Sequence, residues 1–210
     1  MLDKWIAPLT QPPLRKLASR LLRHGITADQ ITITGFVLGM FAIPLLFQGY
    51  YFLALLTIVT NRILDGLDGT LARISGPSDA GGFLDITLDF IFYSGVVLGF
   101  ALASPQQNAI AACTLIFSFM GTGASFLAYA VMAERHQLKP PHHQSKSLYY
   151  LGGLAEGTET IALFVLFCLL PEYFAQLAFG FSAICIWTAI LRIWGGYRAI
   201  VRAEAQARRL

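Results

Sequence analysis

Apolar residues run through this chain in long blocks, with polar residues gathered between them. The blocks are Ile31 to Phe47, Tyr50 to about Ile63, Phe83 to Ala103, Ala109 to about Met132, Leu151 to Leu170 and Tyr173 to about Trp194. A helix rising 1.5 Å per residue needs about 20 residues to cross a hydrocarbon core of about 30 Å. The second block reaches that length only if its helix continues through charged residues to Arg73. The pattern therefore predicts an all-α integral membrane protein with six transmembrane helices. Ahead of them, Leu14, Leu17, Leu21 and Leu22 interleave with Arg15, Lys16, Arg20 and Arg23. That alternation predicts an N-terminal amphipathic interfacial helix, its leucines in lipid and its basic groups on lipid phosphates. It does not read as a secretory signal, which needs a short apolar core followed by a small-residue cleavage site. Thr27 is placed to cap the first span, with Asp29 and Gln30 in its first turn.

Composition agrees with the pattern. Hydrophobic residues make up 56% of the 210 and charged residues 13%, with a net charge of +3, far from a soluble globular average and without the basic surface a nucleic-acid partner needs. Cys113, Cys168 and Cys185 sit in apolar runs without metal-ligand or disulfide spacing, so they read as small buried hydrophobes. With no internal repeat and no long linker, residues 1–210 read as one membrane domain: an interfacial helix over 1–25, six spans over 31–194 and a basic C-terminal tail over 195–210. The 15 Lys and Arg residues fall in the N-terminal segment, between spans two and three, between spans four and five, or at the C-terminal end. The connections Gln48–Gly49, Ser104–Asn108 and Pro171–Glu172 carry none. The positive-inside rule then predicts that both termini face the cytosol across an inner membrane.

The stretch Leu64 to Asp89, LDGLDGTLARISGPSDAGGFLDITLD, breaks the apolar pattern with the acids Asp65, Asp68, Asp85 and Asp89. Residues three and four apart share a helix face, and Gly76-Pro77 divides the stretch into a helical hairpin. Such a hairpin aims four carboxylates into one small volume, where like charges need positive compensation. Divalent cations supply it. An all-oxygen donor set suits Mg2+ or Mn2+, since no His or Cys is near in sequence. Gly69 and Ala72 leave room beside the metals for a bulky ligand, and Arg73 offers a bidentate phosphate donor at the edge of that space.

The string Asp65-x-x-Asp68-Gly69-x-x-Ala72-Arg73, followed by Gly81-x-x-x-Asp85-x-x-x-Asp89, resembles the signature of the CDP-alcohol phosphatidyltransferase family. The loop between Arg73 and Gly81 is one residue shorter than the family's usual spacing. The resemblance implies metal-dependent transfer of a substituted phosphate group from a CDP-linked alcohol to a hydroxyl, with CMP leaving. It implies that Asp65, Asp68, Asp85 and Asp89 hold two divalent cations and that Asp89 also takes the acceptor's proton. Gly69 and Ala72 admit the nucleotide, Arg73 holds the diphosphate, Ser78 donates to it from the loop, and Asp29 contacts the cytidine. The usual donor is CDP-diacylglycerol, with a small polar acceptor such as glycerol 3-phosphate, serine or an inositol phosphate. Members are commonly homodimers surrounded by membrane lipid.

Between spans four and five, Arg135, Lys139 and Lys146 form either a basic rim for an acceptor phosphate or ordinary positive-inside decoration. A rim favours glycerol 3-phosphate. His142 and His143 there read as solvated. Glu156 and Glu159, at the start of span five, line the pocket, pair with Arg62 or Arg73, or cap the helix. The resemblance leaves open transfer from CDP-choline or CDP-ethanolamine to diacylglycerol, and the acidic cluster leaves open divalent-cation transport and prenyl-diphosphate chemistry. A carrier would place its acids near the midplane with repeat symmetry. Here they lie beside a basic edge without a repeat.

Overall fold

The computed structural model describes residues 3–136 and 157–207, with side chains from Gln11 onward, and among the described residues every element is helical. Helix α1, Asp3–Arg23, is followed by a turn at Gly25 (φ 74°). Helix α2, Ala28–Met40, begins with the expected cap. Gln30 N donates to Thr27 Oγ1 (3.3 Å), and Thr27 N donates to Gln30 Oε1 (3.1 Å). The rod then breaks at Phe41 and resumes as α3, Ala42–Phe47. Pro44 explains the break, because it lacks the N–H that would bond the Met40 carbonyl and its ring crowds that oxygen.

Helix α4, Tyr51–Ser75, ends at Gly76, whose φ of 102° suits a residue without Cβ. Ser78 caps helix α5, Asp79–Ala103, by accepting from Gly81 N (3.0 Å). A single residue, Ser104, separates α5 from helix α6, Pro105–Arg135. Helix α7, Gly157–Leu169, leads through a 3-10 turn at Pro171–Tyr173 into helix α8, Phe174–Ala207.

Four of these rods are long and apolar enough to cross a membrane: Ala28–Phe47, Asp79–Ala103, Pro105–Arg135 and Pro171–Gln206. Helix α4 has the length, but its charged residues exclude it on composition, and α7 is apolar over 13 described residues.

Several boundaries differ from the sequence reading. Asn108, expected in a connection, is buried inside α6, and its Nδ2 donates to Phe100 O at the end of α5 (2.9 Å). The basic tail is a continuation of α8 as far as Ala207, and 34 residues at 1.5 Å each give about 51 Å, well beyond the hydrocarbon thickness. Leu14 and Leu21, expected in lipid, instead pack with Ala18 against Leu67 and Leu71 of α4. Leu17 and Leu22 stay exposed, as do Arg15, Lys16, Arg20 and Arg23.

Lipid tails are as apolar as leucine, so helices in a bilayer associate through close packing rather than water exclusion. The core is accordingly aromatic and tight. Phe92, Phe100, Phe164, Phe167 and Phe174 are fully buried, with Phe100 stacked on Phe174 at 4.8 Å between centroids. At Gly39 a Cβ would stand 2.8 Å from Phe92 Cε2 and 2.9 Å from Asn61 Cβ, so α2 touches α4 and α5 almost backbone to side chain. Along the α6–α8 seam Ser118, Ser182, Thr188 and Arg192 are buried, and Arg192 Nη1 donates to Thr122 O (3.3 Å). Large apolar side chains such as Phe52, Phe83, Ile110, Phe117 and Met120 point outward, as a lipid-facing surface requires.

Candidate functional site

The hairpin of α4 and α5 brings the predicted acids together. Asp65 and Asp68 lie three residues apart on α4, and Asp85 and Asp89 one turn apart on α5. One carboxylate oxygen from each of Asp65, Asp85 and Asp89 lies within 4.8 Å of the other two. Asp68 lines the same cleft but is not part of that trio, and its Oδ2 accepts from the Thr32 hydroxyl of α2 (2.6 Å). Gly35 and Phe36 of α2, Asn61 and Arg62 of α4 and Leu88 of α5 complete the walls.

Arg62 is the site residue that the acidic pattern did not single out. Its Nη2 donates to Asp89 Oδ1 (2.7 Å), and its Nη1 lies 3.6 Å from Asp65 Oδ1. Nη1 also donates to the Tyr93 hydroxyl (3.2 Å), and Nε donates to Asn61 Oδ1 (2.7 Å). The guanidinium packs on Phe92 and Tyr93, 4.8 and 5.2 Å from their ring centroids. Asn61 is itself held, its Nδ2 donating to Gly35 O (2.9 Å). The available signal was position: a cation three residues before Asp65 shares its helix face.

The expected nucleotide-side residues are not among those lining the cleft and lie near them in sequence, on α2, on α4 and at the N-cap of α5. A Cβ on Gly81 would stand 2.9 Å from Asp29 Oδ1 and 3.0 Å from Ser78 Oγ, so Asp29 of α2 reaches the first turn of α5 only because residue 81 has no side chain. A Cβ on Gly69 would meet Arg73 Nη1 at 3.6 Å. Ala72 is half-buried and Arg73 exposed, with Arg73 Nη2 donating to Thr70 Oγ1 (3.0 Å). Ser78 Oγ accepts one hydrogen bond in the α5 cap, a bond that does not use its O–H.

Of the acceptor-side candidates, Arg135 and Glu159 lie among the described residues. Arg135 is exposed in the last turn of α6, and Glu159 is half-buried in the first turn of α7. A Cβ on Gly157 would lie 3.7 Å from the Tyr93 hydroxyl, so the start of α7 abuts the residue that meets Arg62. Lys139, Lys146 and Glu156 lie outside the described residues.

The donor set fits a hard divalent cation. Oxygens on opposite sides of Mg2+ at 2.0–2.1 Å are about 4.2 Å apart. Three ligands of one ion include at most one opposite pair, so the trio, whose oxygens lie within 4.8 Å of one another, would draw closer together on binding it. Every donor in the trio is a carboxylate oxygen, which favours Mg2+ or Mn2+ over thiolate- and imidazole-seeking metals.

Comparison with known proteins places the chain in a family. The sequence profile "CDP-alcohol phosphatidyltransferase" matches residues 25–194, which include α2 to α7 and the whole acidic hairpin. The chain belongs to the CDP-alcohol phosphatidyltransferase family. It is 51% identical over 206 residues, 98% of this chain and all of the relative, to the Escherichia coli inner membrane protein YnjF. Over 121 residues it is 36% identical to an archaetidylinositol phosphate synthase of Pyrococcus horikoshii, covering 57% of this chain and 64% of that one. The fold is similar to that of the Mycobacterium tuberculosis phosphatidylinositol phosphate synthase (PgsA1), solved with CDP-DAG bound, at a TM-score of 0.65 and 20% identity over 88% of this chain and 93% of that one. The same mycobacterial protein in complex with manganese and citrate gives the same TM-score and identity over 88% of each chain. As a CDP-alcohol phosphatidyltransferase, this membrane protein is a metal-binding transferase of phospholipid biosynthesis.

Proposed function

We propose that this CDP-alcohol phosphatidyltransferase moves a phosphatidyl group from CDP-diacylglycerol to a hydroxyl of a small phosphorylated polyol, releasing CMP, at the cytosolic face of an inner membrane. The convergence of Asp65, Asp85 and Asp89 in a cleft shared with Asp68 carries the reading. The mycobacterial structure with CDP-DAG supports the donor, and the inner membrane relative supports the location. The inositol-phosphate synthases among the relatives favour a phosphorylated inositol over glycerol 3-phosphate. Either acceptor carries the phosphate that Arg135, Lys139 and Lys146 are suited to meet.

Asp65, Asp68, Asp85 and Asp89 hold two divalent cations, Mg2+ or Mn2+, which supply charge neutralisation at the donor pyrophosphate and at the departing oxygen. Asp89 accepts the proton of the acceptor hydroxyl. That oxygen forms the new bond to the phosphatidyl phosphorus as the bond to CMP breaks, the electron pair leaving with CMP. Arg73 and the Ser78 hydroxyl hold the diphosphate, Gly69 and Ala72 admit the nucleotide, and Asp29 reaches the cytidine beside Gly81. Glu156 and Glu159 line the acceptor side. The chain spans the membrane six times as one domain, with α4 and α7 completing the set, and assembles as a homodimer.

The test is turnover of labelled CDP-diacylglycerol in detergent micelles with Mg2+ or Mn2+ and a panel of acceptors. Metal-dependent CMP release that needs a phosphorylated polyol is the expected result. Cation uptake into proteoliposomes without CMP release from any CDP-alcohol would replace this reading with transport.

A further inference from the structure

Arginine inside a membrane-spanning segment is costly unless it faces a polar partner or cavity, and Arg62 has contacts all around its guanidinium. Nε is held by Asn61, Nη1 by Tyr93, Nη2 by Asp89, and the plane lies against the rings of Phe92 and Tyr93. A guanidinium is a rigid planar fork, so three pinned nitrogens define both its position and its tilt. Its two acidic neighbours are not equivalent. The contact to Asp89 is 2.7 Å and the one to Asp65 is 3.6 Å.

We propose that Arg62 is a positioning residue for Asp89, holding Oδ1 in a charge-assisted hydrogen bond so that Oδ2 is the oxygen presented to the cleft. The inference rests on the role given to Asp89 above. A carboxylate on a rotating side chain offers either oxygen in any direction. With Oδ1 clamped, one oxygen serves the protein and the other the chemistry. The clamp is built from three helices, because Asn61 is tied back to Gly35 O of α2 while Tyr93 and Phe92 belong to α5. This construction argues against a mere counter-ion that a metal would displace. A counter-ion needs only the acids, whereas Arg62 is seated by an amide, a phenol and two aromatic faces that a metal leaves in place.

The experiment is a double-mutant cycle on the purified full-length protein in detergent, with Mn2+ affinity measured by electron paramagnetic resonance in the absence of substrates. The proteins are the parent, Arg62→Met, Asp89→Asn and the double variant, each checked by melting temperature. Outer contacts to metal-ligating side chains are typically worth about 10- to 100-fold in affinity or activity. Arg62→Met is expected to weaken Mn2+ about tenfold in the parent and to add no further loss in the Asp89→Asn background. In turnover, kcat falls while KM for the CDP donor stays within about twofold, the signature of an interaction used in the transition state. Arg62→Lys, which keeps charge but not the fork, falls between parent and Arg62→Met. Tyr93→Phe removes one clamp without touching charge and shifts Mn2+ affinity in the same direction, which keeps the test open should Arg62→Met fold poorly. Tighter Mn2+ binding in Arg62→Met, or an equal loss in both backgrounds, would overturn the proposal. Full turnover by Asp89→Asn alone would remove the base role, and the Mn2+ cycle would still report whether Arg62 acts through Asp89.

Discussion

Thr32 shows how much of this site depends on single atoms. Its hydroxyl reaches from α2 to Asp68 Oδ2 at 2.6 Å, so one of that carboxylate's oxygens is oriented by a neighbouring helix rather than by α4. Thr32→Val keeps the shape and removes the donor. We expect about a tenfold loss of metal affinity or turnover, read as the Mg2+ concentration needed for half-maximal CMP release. The four acids themselves divide by role. Asp89→Asn should abolish turnover while a CDP-linked donor still binds, as followed by calorimetry, because an amide does not take up the acceptor proton. Asp65→Asn should weaken metal binding as well. Activity of Asp89→Asn equal to the parent's would take the base role away from this residue.

Helices bring these atoms together, and at this scale part of the arrangement was legible in the sequence. The acids are three or four residues apart on each arm, Gly76-Pro77 marks the turn, and the Thr27–Gln30 cap follows a known local rule, so the hairpin and the start of α2 could be read directly. What could not be read depends on contacts between distant segments. Arg62 and Asp89 are 27 residues apart, and only the rotation of α4 against α5 makes them a pair. Asp68 likewise lies outside the close trio and bonds Thr32 of α2, 36 residues away in sequence. Pro44 was a visible signal for the break between α2 and α3, which a count of apolar residues does not register. The close approach of α2 to α4 and α5 at Gly39 also gives an element-scale prediction. Gly39→Leu would drive a side chain into Phe92 and Asn61, already under 3 Å from a Cβ there. Overpacking of this kind costs about 1–3 kcal/mol. Because Asn61 seats Arg62, a fall in melting temperature should be accompanied by loss of CMP release; a lowered melting temperature with full turnover would separate packing from the site.

For the whole molecule, the decisive question is whether α4 and α7 cross the membrane. Composition excludes α4 because its acids and arginines depress its hydropathy, yet α4 is 25 residues long and packs against α1, α2, α3 and α7. Of those charged groups Arg62, Asp65 and Asp68 line the cleft, where polar residues in a bilayer belong. If α4 crosses, Gln48 and Asp79, at its two ends, lie on opposite sides of the membrane; if it does not, they lie on the same side. The same logic applies to α7, with Arg135 before it and Glu172 after it. All four residues are exposed. The connections at Gln48 and Glu172 carry no Lys or Arg, so the positive-inside rule assigns them to the outer face, with Asp79 and Arg135 inside. Single cysteines at these positions, in a background where the exposed Cys113 is replaced by alanine, can be probed with a membrane-impermeant maleimide. In right-side-out vesicles Gln48→Cys and Glu172→Cys should label while Asp79→Cys and Arg135→Cys do not, and inverted vesicles should reverse the pattern. Labelling of Gln48→Cys and Asp79→Cys from one side would make α4 a re-entrant segment and move the acidic cleft away from the six-span arrangement. The same result for Arg135→Cys and Glu172→Cys would leave α7 as the element that fails to cross.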